Sequence, residues 1–178
     1  MAKNLILATL LALALLTPSC LPTRQKLHYY VLVPQPGNTD SAIVIEDVKL
    51  AGYLDRHELC YLAETGELVR MSKAKWAQPL GAIVKNYLVT ATRPKSDFNL
   101  APGAKVTIHL DQFLMTQDGT FQVAGAVETR VNGASGWSRK AFDFQLPSRG
   151  EPNVQNLVAQ SRTALDRIVE IAFGKQPQ

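Results

Sequence analysis

The sequence predicts a single α/β domain of the α+β type: a largely antiparallel sheet with two main helices packed on one face. Three observations predict it. The chain has 178 residues, a length suited to one domain with a sizeable core. Seven short segments rich in β-branched, aromatic or alternating apolar residues are set apart by turn signals. Two longer segments carry apolar side chains at helical spacing. Along the chain these read β-β-β-β-α-β-β-β-α, with no internal repeat, long linker or low-complexity stretch.

The first strand candidate is Leu27 to Val33, ended by the breaker cluster Pro34-Gln35-Pro36-Gly37. Ala42 to Val48 is the second. Glu58 to Glu64 and Glu67 to Met71 flank Thr65-Gly66 and read as a hairpin. Val106 to Met115 and Phe121 to Val131 flank Gln117-Asp118-Gly119, a stronger turn signal because Asp-Gly tolerates positive φ. Asn132-Gly133 and Ala134-Ser135-Gly136 lead into Trp137 to Leu146, where Phe142, Phe144 and Leu146 share one face. The last three strands form an antiparallel meander on this reading.

The first helix carries the stripe Trp76, Leu80, Ile83, Val84, Tyr87, Leu88. Because Pro79 is tolerated only in a first turn, the spacing predicts a start close to Trp76. The second carries Val154, Leu157, Val158, Leu165, Ile168, Val169 and Ala172, with Asn153 as N-cap and Gly174 as the stop.

Composition narrows the function classes. The apolar fraction of 46% excludes disorder over most of the chain. A net charge of +4 is far from the clustered basic surface of a nucleic-acid binder. Two cysteines are too few for a disulfide scaffold or a self-contained zinc site. Their positions are more telling than their number. After Lys3 and Asn4 comes a run of twelve residues without a charge, mostly Leu and Ala, from Leu5 to Leu16. As a helix this run is about 18 Å long, well short of the roughly 30 Å of a bilayer core and suited to a signal-peptide h-region. Leu16-Thr17-Pro18-Ser19-Cys20 then resembles a bacterial lipobox, although Thr17 stands where a bulky aliphatic residue is usual. An ordinary secretory signal cut nearby remains the alternative.

Three segments follow from this reading: 1–19 as signal peptide, 20–26 as lipidated cysteine and tether, and 27–178 as the domain. Acyl chains such as palmitate contribute roughly 0.8 kcal/mol per buried CH₂, so a triacylated Cys20 anchors without help from protein. The lack of aspartate after the cysteine, where Leu21 stands, favours the outer membrane. Leu21 to Lys26 reaches at most about 20 Å, so the folded body sits close to the membrane. Cys60 is left as a small half-buried hydrophobe in an alternating segment.

Nothing in the residues supports an enzyme. His28, His57 and His109 lie in different segments with no metal-binding spacing. There is no G-x-S-x-G elbow, and no glycine loop that follows a strand and opens a helix. Glu46 and Asp47 occupy adjacent strand positions and should face opposite ways. Arg70, Lys73 and Lys75 form a basic patch beside Trp76. It reads as a solvated helix start or as a contact for anionic headgroups or an acidic partner. Tyr53 and Trp76 are each an interface anchor or a core residue, with core favoured for Trp76.

Val48-Lys49-Leu50-Ala51-Gly52-Tyr53-Leu54-Asp55-Arg56, followed after the hairpin by Lys75-Trp76-Ala77-Gln78-Pro79-Leu80, resembles the auxiliary lipoproteins of ABC-type transport systems, the PqiC-like family. Tyr29-Tyr30-Val31-Leu32 fits the family's start after the lipidated cysteine. The resemblance covers most of the mature chain and is clearest from Tyr29 to Leu88. Gly52 stands where proline is usual, and Gln78 where glutamate is usual.

The resemblance implies a non-enzymatic, outer-membrane-anchored periplasmic subunit whose partners are inner-membrane MCE-domain, permease and ATPase components. Such systems are linked to lipid movement between membranes and to envelope integrity. No cofactor is implied beyond the covalent lipid on Cys20, no nucleic acid is expected, and a homo-oligomer is left open. Tyr53, Leu54, Asp55 and Arg56 are the expected partner-facing loop, unless Asp55 and Arg56 merely fix it through a local ion pair. A structural or assembly lipoprotein of another outer-membrane complex, a chaperone or plug, is the alternative function. A lipid carrier with its own large apolar cavity is a third.

Overall fold

The computed structural model describes residues 26–34, 44–92, 104–130, 136–147 and 150–174. The expectations for the signal peptide, Cys20 and the Pro34–Gly37 breaker beyond Pro34 lie outside them. In chain order the elements are β1 (His28–Tyr30), β2 (Val44–Leu50), β3 (Glu58–Leu62), β4 (Leu68–Trp76), α1 (Leu80–Thr92), β5 (Lys105–Thr116), β6 (Phe121–Arg130), β7 (Trp137–Leu146) and α2 (Val154–Phe173). They form one α+β domain.

The seven strands make one sheet in the order β1-β4-β3-β5-β6-β7, with β2 also paired to β5. Its long ladders are antiparallel: β5 runs against β6, and β6 against β7 from Arg130↔Trp137 to Phe121↔Leu146. Three shorter pairings are parallel: β1 with β4, and both β2 and β3 with β5. Strands β2 and β3 lie end to end along one side of β5. The first covers Lys105 to Leu110 and the second covers Met115 and Thr116.

The core fills the space between one sheet face and the helices. β5 supplies Val106, Ile108, Leu110 and Met115, and β7 supplies Phe142, Phe144 and Leu146. α2 packs over β5, β6 and β7, while α1 packs over β2 and against α2. Burying each such Leu, Ile or Phe contributes about 1.5–3 kcal/mol. The helices are also tied by one polar contact, in which Tyr87 Oη donates to the Asp166 carboxylate at 2.6 Å. Burial, then the Asp166 hydrogen bond and charge, push the Tyr87 hydroxyl's pKa up.

The turn chemistry follows the residues. Gly66 and Gly119 adopt φ of 81° and 87°, which glycine reaches without steric cost. Asp118 closes the second hairpin by accepting from the Thr120 N–H and from the Thr116 and Thr120 hydroxyls. Asn153 caps α2 through its side chain, which accepts from Asn156 N–H at 2.8 Å, and the Gly174 N–H closes its last turn on Glu170 O.

Several boundaries differ from the sequence reading. Trp76 ends β4, and the first helix begins only at Leu80. The carbonyl of Pro79 accepts from Ala82 and Ile83, so the proline precedes the helix instead of sitting inside its first turn. Leu68–Trp76 alternates as a strand only in part, and the helical stripe counted Trp76 because both periods bury it.

Consequently Arg70, Lys73 and Lys75 belong to β4, and the solvated helix start is set aside. The β3–β4 register explains why the segment lacked a strand signal. Glu58 pairs with Lys75 and Cys60 with Arg70, so Met71–Ala74 oppose Leu59 alone. Lys73 takes a left-handed φ of 67° inside this bulge. A second irregularity, between Ile45 and Asp47, leaves both Glu46 and Asp47 exposed instead of on opposite faces. Trp76 is core, as favoured.

Candidate functional site

The segment from Ala51 to His57 leaves the sheet where β2 ends and returns at β3. Since both strands lie along the same side of β5, the loop stands out opposite the middle of that strand. The Ala51 N–H still bonds Leu110 O at 2.9 Å, and Leu54 N–H to Ala51 O closes a tight turn. β5 has a register shift against β6 between Leu110 and Gln112. Asp111 at this shift offers its carbonyl to Tyr53 Oη, which donates at 2.6 Å. The loop is therefore docked by its aromatic residue onto an irregularity of the central strand. Burial, with the nearby Asp111 carboxylate, pushes the Tyr53 hydroxyl's pKa up.

The four expected contact residues divide. Leu54 turns inward and is 5% exposed, so it anchors the loop in the core instead of meeting a partner. Tyr53 is half-buried and spent on Asp111. Asp55 is exposed. Arg56 is half-buried, and its Nε is enclosed without a hydrogen-bond partner. Asp55 and Arg56 form no ion pair within 4.0 Å; the Lys and Arg ion pairs among the described residues are Lys75–Glu58, Lys105–Glu46 and Arg139–Glu128, with His109 Nε2 also beside Glu128. The loop is held by Leu54, Tyr53 and backbone bonds.

Around Arg56 the charges are concentrated. Glu58 lies near Arg70, Lys75 and Arg56, and Lys75 Nζ is 3.9 Å from its carboxylate. Its own backbone hydrogen bond first, then these three cations, hold the Glu58 carboxyl below its ordinary range. The Cys60 thiol is pushed up by burial against the opposing pull of Arg56, the reverse of what a reactive thiolate requires. Beneath the loop is a cavity of about 40 Å³ bordered by Tyr53, Arg56, Cys60, Trp76 and the buried Ser161, whose hydroxyl also has no partner. Ligand sites usually enclose roughly 300–1,000 Å³. This cavity accommodates water and no acyl chain.

The histidines remain apart. His28 is exposed on β1, and His57 is exposed in the loop. His109 lies on the opposite side of the sheet from the helices, with Nε2 3.1 Å from Glu128. Among the described residues no three His, Cys, Asp or Glu side chains are grouped to hold a metal ion. No described helix is long and apolar enough to cross a membrane. The basic cluster around Glu58 was missed as a unit because its members come from the loop, β3 and both sides of the β4 bulge. Arg70, Lys73 and Lys75 were its visible part.

The fold has relatives of known structure. The crystal structure of an uncharacterized protein superposes with a TM-score of 0.62 at 17% identity, covering 81% of this chain and 94% of the other. Protein XCC0632 from Xanthomonas campestris, described under the family DUF330, gives 0.59 at 18% identity, covering 79% and 90%. At these identities the likeness establishes the fold. No curated protein matches the chain. The family model for the ABC-type transport auxiliary lipoprotein component matches residues 31–172, from just after β1 nearly to the end of α2. The chain belongs to the family of ABC-type transport auxiliary lipoprotein components.

Proposed function

We propose that this protein is a lipid-anchored, non-enzymatic auxiliary subunit on the periplasmic face of the outer membrane, serving an ABC transport system that moves lipids between membranes. The observation that carries the reading is the family match over residues 31–172. Residues 1–20 support the location, because a short uncharged run ends at a cysteine suited to acylation. On this reading MCE-domain, permease and ATPase chains perform the ATP-driven work, and this chain supplies a docking surface at the far membrane. The small cavity under the loop argues against carriage of lipid within it. Contact with the partner is made by the exposed Asp55 and by Arg56, with Tyr53 and Leu54 holding the loop in place.

Crosslinking in the native envelope, followed by identification of the adducts, tests this function. Adducts with MCE-domain or permease chains are expected. Adducts confined to another outer-membrane assembly would replace the transport reading with a structural or assembly role. In the same assay Arg56→Ala should abolish the partner adduct while leaving the unfolding transition in place. If the variant unfolds instead, Arg56 is a structural residue and the loop is not the interface.

A further inference from the structure

We propose that the edge formed by Leu27–Val33, together with the basic side chains of β4 beside it, is a docking surface for the anionic lipid surface to which Cys20 is attached. This rests on the reading of Cys20 as acylated, and it adds an orientation: the domain lies against the membrane by its β1 edge.

Four observations carry it. The described residues have six large exposed apolar side chains, and four of them are Leu27, Tyr29, Val31 and Val33, between 38% and 64% exposed. They occupy every second position, while Tyr30, Leu32 and Pro34 turn inward. At about 3.3 Å per residue they form a ridge about 20 Å long, whereas single exposed apolar residues are ordinary. Second, β1 is the terminal strand of the sheet, so nothing pairs beyond it among the described strands. Third, Tyr29 is the register partner of Lys75, and Lys75, Arg70 and Arg56 surround the one acid Glu58. Lys73 is exposed on the adjoining bulge, and Asp55 is the exposed acid of the neighbouring loop. An apolar ridge with a tyrosine, flanked by a surplus of cations, matches the interface of an anionic leaflet. Fourth, Leu27 is only seven residues from Cys20. A tether of at most about 25 Å holds this edge near the membrane more strictly than any other part of the domain.

The occupant is thus the lipid surface itself. The apolar ridge meets the headgroup–acyl boundary, and the β4 cations meet phosphate. By contrast Trp137, exposed at the far edge on β7, is a lone aromatic with Arg130 over its ring and has no such setting.

The test uses the mature lipoprotein reconstituted into phosphatidylethanolamine vesicles with and without phosphatidylglycerol. An environment-sensitive fluorophore is placed by Val31→Cys in a Cys60→Ser background, with Asp143→Cys on β7 as the control. Flotation with the vesicles reports anchoring separately. Docking predicts blue-shifted, lipid-quenchable emission at position 31 and water-like emission at position 143. The shift should weaken at high salt, and the docked population should fall about fivefold for each cation removed in Arg70→Gln and Lys75→Gln.

Protein that floats with the vesicles while position 31 stays water-like overturns the docking and leaves the anchor intact. Protein that does not float overturns the acylation and the docking together. A photocrosslinker at position 31 in the native envelope should yield lipid adducts. A protein adduct there, of doubled or other mass, would assign the ridge to a second copy or a partner and overturn the lipid proposal.

Discussion

The two halves of the sheet are built to different rules. On one side β5, β6 and β7 form long, nearly unbroken antiparallel ladders, with α2 covering Phe142, Phe144 and Leu146. On the other, β1, β4 and β3 pair over a few residues each, through a bulge in which Lys73 adopts a left-handed backbone. The first half buries its apolar side chains and, Trp137 at its far edge apart, exposes mainly polar ones. The second carries the exposed apolar ridge, the cation cluster and the Tyr53–Arg56 loop. Regular pairing supplies stability in the first region, and irregular pairing leaves charged and apolar groups at the surface in the second. Substitutions in the first half should therefore cost stability, and those in the second should cost association.

The sharpest way to break this contrast is at Gly125. A Cβ there would lie 2.0 Å from the His109 carbonyl and 3.0 Å from the Phe142 ring. Gly125→Val should therefore destabilise by about 3 kcal/mol or more, read as a lower urea midpoint. Next, Leu165 in α2 is fully buried, and Leu165→Ala should lose about 2–5 kcal/mol. Tyr29→Ser, on the ridge, should change stability by less than about 0.5 kcal/mol. A large loss at Tyr29 would mean the ridge is structural. Tyr87→Phe removes the hydroxyl that links the helices and should cost about 1.5–3 kcal/mol, because the bond is to a charged group.

A further effect is one of pH. Asp118 is held below its ordinary 3.8, first by the Thr116 hydroxyl and then by the Thr120 N–H and hydroxyl. Its folded pKa is depressed, so its contribution is complete above the unfolded value and is lost as pH falls through the folded one. Acid titration of stability should show this loss below about pH 4, and Asp118→Asn should flatten it.

Much of this was legible in the residues. The hairpin turns at Gly66 and Gly119, the Asn153 cap, the shared face of Phe142, Phe144 and Leu146, and the element order all depend on neighbours in sequence. The beginning of α1 was not, because Trp76 satisfies a helical stripe as well as it satisfies a strand. The β4 bulge was hidden for a related reason: four residues opposing one break the period-two pattern by which a strand is recognised. In the candidate loop, the motif located the segment. It did not reveal that Leu54 points into the core or that Tyr53 is held by a carbonyl 58 positions away.

Sequence alone determined the α+β class, the turns and caps and the resemblance to transport auxiliary lipoproteins. These depend on local backbone preference, on side-chain period and on short motifs. Tertiary structure decided that β2 and β3 share one side of β5, that the cations of the loop and β4 converge on Glu58, and that they lie beside the ridge of β1. Such groupings depend on which strands pair and in what register. Hydrogen bonding between distant segments sets that register, and no local pattern carries it.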